Sequence, residues 1–118
     1  YIKNDNIMRT TYSASNIFLS TSIIESFGKM IAEALACGTP VVCFNTSGPS
    51  SIVKHQTTGY LANPYDVTDL VNGVHFISKL STKDQKGIQS NACNDIRRII
   101  DEDSIIKKYN SVYESIMN

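Results

Sequence analysis

Residues 27–44 read Phe27-Gly28-Lys29-Met30-Ile31-Ala32-Glu33-Ala34-Leu35-Ala36-Cys37-Gly38-Thr39-Pro40-Val41-Val42-Cys43-Phe44, and the apolar period changes inside this stretch. Phe27, Met30, Ile31, Ala34 and Leu35 fall at i, i+3, i+4, i+7 and i+8, which predicts a helix from Phe27 to Cys37 with that stripe buried. Gly38 ends it. The run Pro40-Val41-Val42-Cys43-Phe44 is rich in β-branched residues and has no polar alternation. Such a run predicts a strand covered by helices on both faces, as in a parallel sheet.

The same rhythm extends in both directions. Upstream, Asn16-Ile17-Phe18-Leu19-Ser20 reads as a first strand after a helix over Asp5 to Ser15. Downstream, Pro49 to Lys54 reads as a brief helix, with Pro49 tolerated in the first turn because no intrahelical acceptor awaits its missing N–H. The turn-forming His55-Gln56-Thr57-Thr58 precedes a third strand, Gly59-Tyr60-Leu61-Ala62, which Asn63-Pro64-Tyr65-Asp66 closes. Val67 to Leu80 forms an amphipathic helix. Thr82 to Asn118 reads as two helices broken around Asp101-Glu102-Asp103, with Asp103 as the cap of the second. These elements predict an α/β fold: a partial Rossmann-like, three-layer domain with a short parallel sheet of about three strands flanked by helices. Residues 1–118 form one truncated domain, of which 82–118 is a helical extension. The chain opens on Tyr1 rather than Met, in polar sequence leading straight into a helical pattern, and reads as cut from something longer.

Composition narrows the function. With 118 residues, 11 basic and 11 acidic side chains, the chain has no field to hold nucleic acid. A hydrophobic share of 42% against 19% charged is globular composition. No apolar stretch reaches the ~20 residues that span a bilayer. Cys37, Cys43 and Cys93 are odd in number and lack zinc-ligand spacing, so they read as reduced, inert thiols in a cytoplasmic setting.

In an open parallel sheet, ligands bind beyond the carboxyl ends of the strands. The loop after the first predicted strand carries Glu25 before a helix, Gly28 at its start and Glu33 a few residues in. The free N–H groups of Gly28, Lys29 and Met30 would favour a phosphate at the helix start. A rise of ~1.5 Å per residue puts Glu33 roughly 7 Å further along, about one phosphate-to-ribose step. Carboxylates accept from vicinal hydroxyls, so the pair suggests a ligand of the form sugar, diphosphate, ribose. Ala32 and Ala36 make the face shared by Lys29 and Glu33 small and open to close approach. On the residues alone a plainer reading stays open: Glu25 as a loop charge beside a helix start, and Lys29–Glu33 as an ordinary i, i+4 ion pair. His55 and His75 stand in no catalytic constellation and read as structural. Tyr109, Tyr113, Ile116 and Met117 repeat at helical spacing, which suggests packing against a sheet or a partner domain.

Three strings together carry a resemblance: Ser22-x-x-Glu25-x-Phe27-Gly28, then Glu33-Ala34-Leu35-Ala36-Cys37-Gly38-Thr39-Pro40-Val41-Val42, and finally Thr58-Gly59-Tyr60-Leu61. From about Ser13 to Val74 the chain resembles the donor-binding half of retaining GT-B glycosyltransferases of group 1, or family 4. That resemblance implies the fold of a GT-B C-terminal domain and a nucleotide-diphosphate sugar, UDP- or GDP-linked, as donor for retaining transfer. It implies Glu25 as the catalytic residue in a positional or electrostatic sense, touching hydroxyls of the transferred sugar. Phe27, Gly28, Lys29 and Met30 would meet the donor sugar or diphosphate, and Glu33 the ribose hydroxyls. No cofactor and no obligatory metal are implied, and the common setting is polysaccharide biosynthesis, in the cytoplasm or peripheral at the membrane.

Ser26 stands where the family commonly has glycine, Thr21 where proline is common, and Ser51 at a glutamate position. The family's diphosphate-clamping Arg and Lys and its acceptor domain belong to sequence upstream of this segment. The expectation is therefore an inactive isolated fragment whose first strand exposes an apolar edge open to self-association. A non-catalytic α/β module that binds a nucleotide or phosphate is the alternative.

Overall fold

Asn4 starts the first helix: its side-chain oxygen accepts from the N–H groups of Asn6 at 2.9 Å and Ile7 at 3.3 Å, capping α1 (Asp5–Ser13). The computed structural model describes residues 4–117. After α1 come β1 (Phe18–Ser20), α2 (Lys29–Ala36), β2 (Val41–Phe44), α3 (Ser47–Ile52), β3 (Gly59–Ala62), α4 (Val67–Ser78), α5 (Thr82–Ile99) and α6 (Glu102–Met117). The strands lie in the order β1-β2-β3, all parallel, with Phe18 opposite Val41 and Val41 opposite Gly59. This is the predicted α/β architecture.

The alternation of a strand explains why β2 carries no polar residue. Val41 and Cys43 point to one face, into a core with Tyr12, Ile31, Leu35 and Ile96 from α1, α2 and α5. Val42 and Phe44 point to the other, where Leu70 and Ile77 of α4 close a second core with Ala62. All four residues of β2 are buried. Helix α2 ends as expected at Gly38, whose φ is +75°: Gly38 N–H donates to the Leu35 carbonyl and Thr39 N–H to that of Ala34, both at 2.9 Å.

Several expectations are corrected. Helix α2 begins at Lys29, not Phe27, and Phe27 and Met30 are exposed; the buried stripe is Ile31, Ala32, Ala34 and Leu35. Phe27 and Met30 lie off the covered face of the helix start, where nothing in the described residues packs on them. Asp101, not Asp103, caps α6, its carboxylate accepting from Ser104 N–H at 2.9 Å, because α6 already begins at Glu102 and Asp103 lies inside its first turn. Helix α6 buries no residue, and Tyr109, Tyr113, Ile116 and Met117 pack on no sheet. The break turns α6 away from the body, within overall extents of 53 × 33 × 32 Å.

The two sheet edges differ. On β3 the outward carbonyl of Gly59 accepts from Gln56 N–H at 2.7 Å, and Leu61 N–H donates to His55 Nδ1 at 3.1 Å. His55 also lies on Tyr60, with ring centroids 4.5 Å apart, so its role is to seal that edge. On β1 the Phe18 N–H turns inward to the Pro40 carbonyl, leaving Leu19, 48% exposed as a residue, on the outer edge.

Asp69 ties the end of β3 to α4. Its carboxylate accepts from Asn63 N–H and from the Tyr60 hydroxyl, each at 2.8 Å. These bonds, the Asn63 amide first, hold the Asp69 carboxyl below its ordinary 3.8, so the stabilisation is present above that value and lost as pH falls through the lower folded value. Asp69→Asn is expected to cost about 1 kcal/mol at pH 7. Thermal melts should show that the gap from the original chain narrows as pH falls below the ordinary carboxylate range.

Candidate functional site

The loop between β1 and α2 lies at the carboxyl end of the sheet. Gly28 forms the N-cap of α2 at φ +92°, a left-handed conformation that glycine adopts without strain. Its N–H donates to Glu25 Oε1 at 3.2 Å, so this amide is not free for a ligand as the sequence suggested. The first intrahelical bond runs from Ala32 N–H to the Gly28 carbonyl at 2.9 Å. No cap side chain intervenes, and the N–H groups of Lys29, Met30 and Ile31 have no partner among the described residues. The amide cradle is therefore shifted one residue along, with the half-buried Glu25 as a resident negative charge beside it.

The loop after β2 buttresses this one. A β-carbon at Gly48 would overlap the Glu25 carbonyl oxygen and come within 2.8 Å of the Phe27 nitrogen. Gly48, in the first turn of α3, thus lets the backbone of residues 25–27 lie directly against it. Thr46, the N-cap of α3, carries a buried hydroxyl without a hydrogen-bond partner among the described residues. Ser51 donates to the Gly48 carbonyl at 2.6 Å and so spends its hydroxyl within α3.

Glu33 sits one turn into α2 with its carboxylate between two groups. Tyr12 of α1 donates from its hydroxyl to Glu33 Oε2 at 3.2 Å, and Lys29 Nζ lies 3.8 Å from Oε1. Burial of Tyr12, together with the Glu33 carboxylate, pushes the phenol up to about 12, so it remains a donor at neutral pH. The Lys29 side chain is 87% exposed, and this pair contributes little to stability. Both plainer contacts, Glu25 at a helix start and Lys29 paired with Glu33, are thus present alongside the cradle.

Ala32 and Ala36 do not make an open face. Ala32 is buried in the core under α1, and the Ala36 carbonyl accepts from Cys93 of α5 at 3.5 Å; the small side chains admit neighbouring helices. Phe27 and Met30 stand exposed on the rim. Tyr12 was not picked out from the sequence, because it lies 21 residues from Glu33 on another element and no spacing rule connects them. Among the described residues no three His, Cys, Asp or Glu side chains cluster as a metal site, and no helix is long and apolar enough to cross a membrane. Burial raises the Cys43 thiol to about 12, which removes it as a nucleophile.

At the carboxyl end of a parallel sheet, unpartnered helix-start amides thus lie between two carboxylates. The family described as glycosyl transferases group 1 matches residues 1–95, and the chain belongs to that family. An uncharacterised glycosyltransferase of Methanocaldococcus jannaschii is 29% identical over 97% of this chain and 29% of its own length. Anabaena HepE, solved in complex with UDP-glucose, superposes with a TM-score of 0.76 at 28% identity over 92% of this chain and 30% of HepE. The C-terminal domain of a group 1 glycosyl transferase from Francisella tularensis shares the fold, with a TM-score of 0.70 at 22% identity over 85% of this chain and 50% of that one. The chain thus spans about 30% of the length of full relatives.

Proposed function

We propose that this chain is the donor-binding portion of a larger retaining glycosyltransferase and that it holds a nucleotide-diphosphate sugar. The observation that carries this reading is the set of unpartnered N–H groups of Lys29, Met30 and Ile31, lying between Glu25 and Glu33 at the carboxyl end of the sheet. The amides and the helix N-terminus receive the diphosphate. Glu33 accepts from the ribose hydroxyls. Glu25 accepts from hydroxyls of the transferred sugar and places the anomeric carbon beside the acceptor, a second substrate whose site the remainder of the parent protein supplies. Phe27 and Met30, exposed on the rim, cover the donor from the solvent side. The relative bound to UDP-glucose supports a UDP-linked donor, and a GDP-linked one fits the same contacts.

Alone, the chain offers one wall of the site and transfers no sugar. Titration with UDP and with GDP, followed through backbone amide signals, is expected to give millimolar-range dissociation with shifts at Lys29, Met30 and Ile31. Micromolar binding would show that the site is already complete. Shifts confined to other regions would remove the assignment.

A further inference from the structure

We propose that Tyr12 is a positioning residue that aims the Glu33 carboxylate at the ribose diol of the donor. The proposal rests on the reading of Glu33 as the ribose acceptor. Tyr12 belongs to a different helix from every residue that reading uses, and three contacts fix it. Its ring meets Phe18 of β1 edge-on, with centroids 5.6 Å apart at 73°. Its carbonyl accepts from the buried Thr39 hydroxyl at 2.6 Å. The residue as a whole is 6% exposed, yet its hydroxyl reaches Glu33 Oε2 at 3.2 Å.

Glu33 itself has no such restraint. Its side chain is 40% exposed, and its other neighbour, Lys29 at 3.8 Å, has a side chain 87% exposed. Without Tyr12 the carboxylate would sample several rotamers at the edge of α2, and ordering it on each binding event would cost affinity. With Tyr12 holding Oε2, Glu33 Oε1 stays on the side of Lys29, one turn towards the start of α2 where the unpartnered amides lie. A tyrosine suits this task because its hydroxyl stays protonated at every working pH and can only donate to a carboxylate. The sheet and α1 thereby set the geometry of a group on α2 through one hydroxyl.

The test is Tyr12→Phe in the whole protein, which keeps the ring and removes only the hydroxyl. UDP or GDP, whichever the protein binds, is compared with its 2′-deoxy and 3′-deoxy counterparts. The variant is expected to lose the preference for ribose by about threefold to tenfold, with the change in donor KM rather than kcat. In a Glu33→Ala background the same substitution should change nucleotide affinity by less than twofold, because Tyr12 acts through Glu33. A full ribose preference in Tyr12→Phe overturns the role of Tyr12 and leaves that of Glu33 standing. An equal loss with and without Glu33 also overturns it, since a purely structural role would act that way. A parent protein that shows no preference for ribose over its deoxy forms removes the Glu33 reading and this proposal with it.

Discussion

Gly48→Ala in the whole protein is expected to lower kcat/KM for the donor by about 100-fold. The new methyl group would occupy space held by the Glu25 carbonyl oxygen and crowd Phe27 N and Ser26 C, the latter two at 2.8 Å. All three are backbone atoms, so no side-chain rotation relieves the overlap. Either the turn at the start of α3 moves or the 25–27 segment does. Gly48 is itself buried and followed by the buried Pro49, with Ile52 anchored in the core on the same short helix. The loop, with Ser26 and Phe27 exposed, is the softer partner and is the one to yield. Overpacking of this kind costs ~1–3 kcal/mol of stability. The larger effect falls on Glu25, because a shift of about 1 Å in a positioning group costs on the order of 10²-fold in rate. Displacement of Glu25 also breaks its bond to Gly28 N–H and reorients the cradle. Steady-state kinetics with a thermal melt of the same preparation check this: a folded variant with original kcat/KM would show that the contact between the two loops has no bearing on transfer.

The asymmetry between Gly48 and Gly28 shows what the sequence could convey. Gly28 announces itself locally, since it precedes an apolar period and follows a carboxylate, and its left-handed cap conformation is a property of a few consecutive residues. Gly48 matters because another loop, more than twenty residues away, lies against it, and a one-dimensional pattern contains no such contact. The same division explains the strands. Val41–Phe44 was legible because burial on both faces leaves an uninterrupted apolar run, and the helix before it because its period and its glycine stop coincide. The start of that helix was misplaced by two residues because Phe27 and Met30 satisfy the apolar period while standing on the rim of the site, where a periodicity rule assigns them to the core. Ala32 and Ala36 misled in the opposite direction: small side chains permit close approach by anything, and here it is α1 and α5 that approach. Of the candidate site, the residue types and the loop were readable; which amides remain free, and the hydroxyl that steadies Glu33, depend on φ at Gly28 and on the packing of α1, neither of which has a signature in the string.

Glu33→Ala is expected to weaken nucleotide binding by roughly 10- to 150-fold, the equivalent of ~1.5 to 3 kcal/mol for hydrogen bonds to a charged acceptor. The side chain's other contacts contribute little to that loss. Its ion pair with the exposed Lys29 is an i, i+4 surface pair of about 0.3 to 0.5 kcal/mol, and it would be screened further by salt. Removing the carboxylate leaves the Tyr12 hydroxyl without its acceptor, but solvent at the edge of α2 can replace it. Stability should therefore change by under about 1 kcal/mol, and a thermal melt separates this from the binding effect. Lys29→Ala provides the contrast: it removes the charge and keeps the backbone N–H in the cradle, so its loss should stay within a few-fold. Because the ribose does not react, the proposed contact from Glu33 would hold ground and transition states alike, and the deficit should appear in donor KM with kcat affected much less. The same factor should then be lost for the nucleoside diphosphate and for the full nucleotide sugar, measured by calorimetry or competition. A variant with an unaltered dissociation constant for both would remove Glu33 from the site, whereas a loss seen only with the nucleotide sugar would place this carboxylate at the transferred sugar instead of at the ribose.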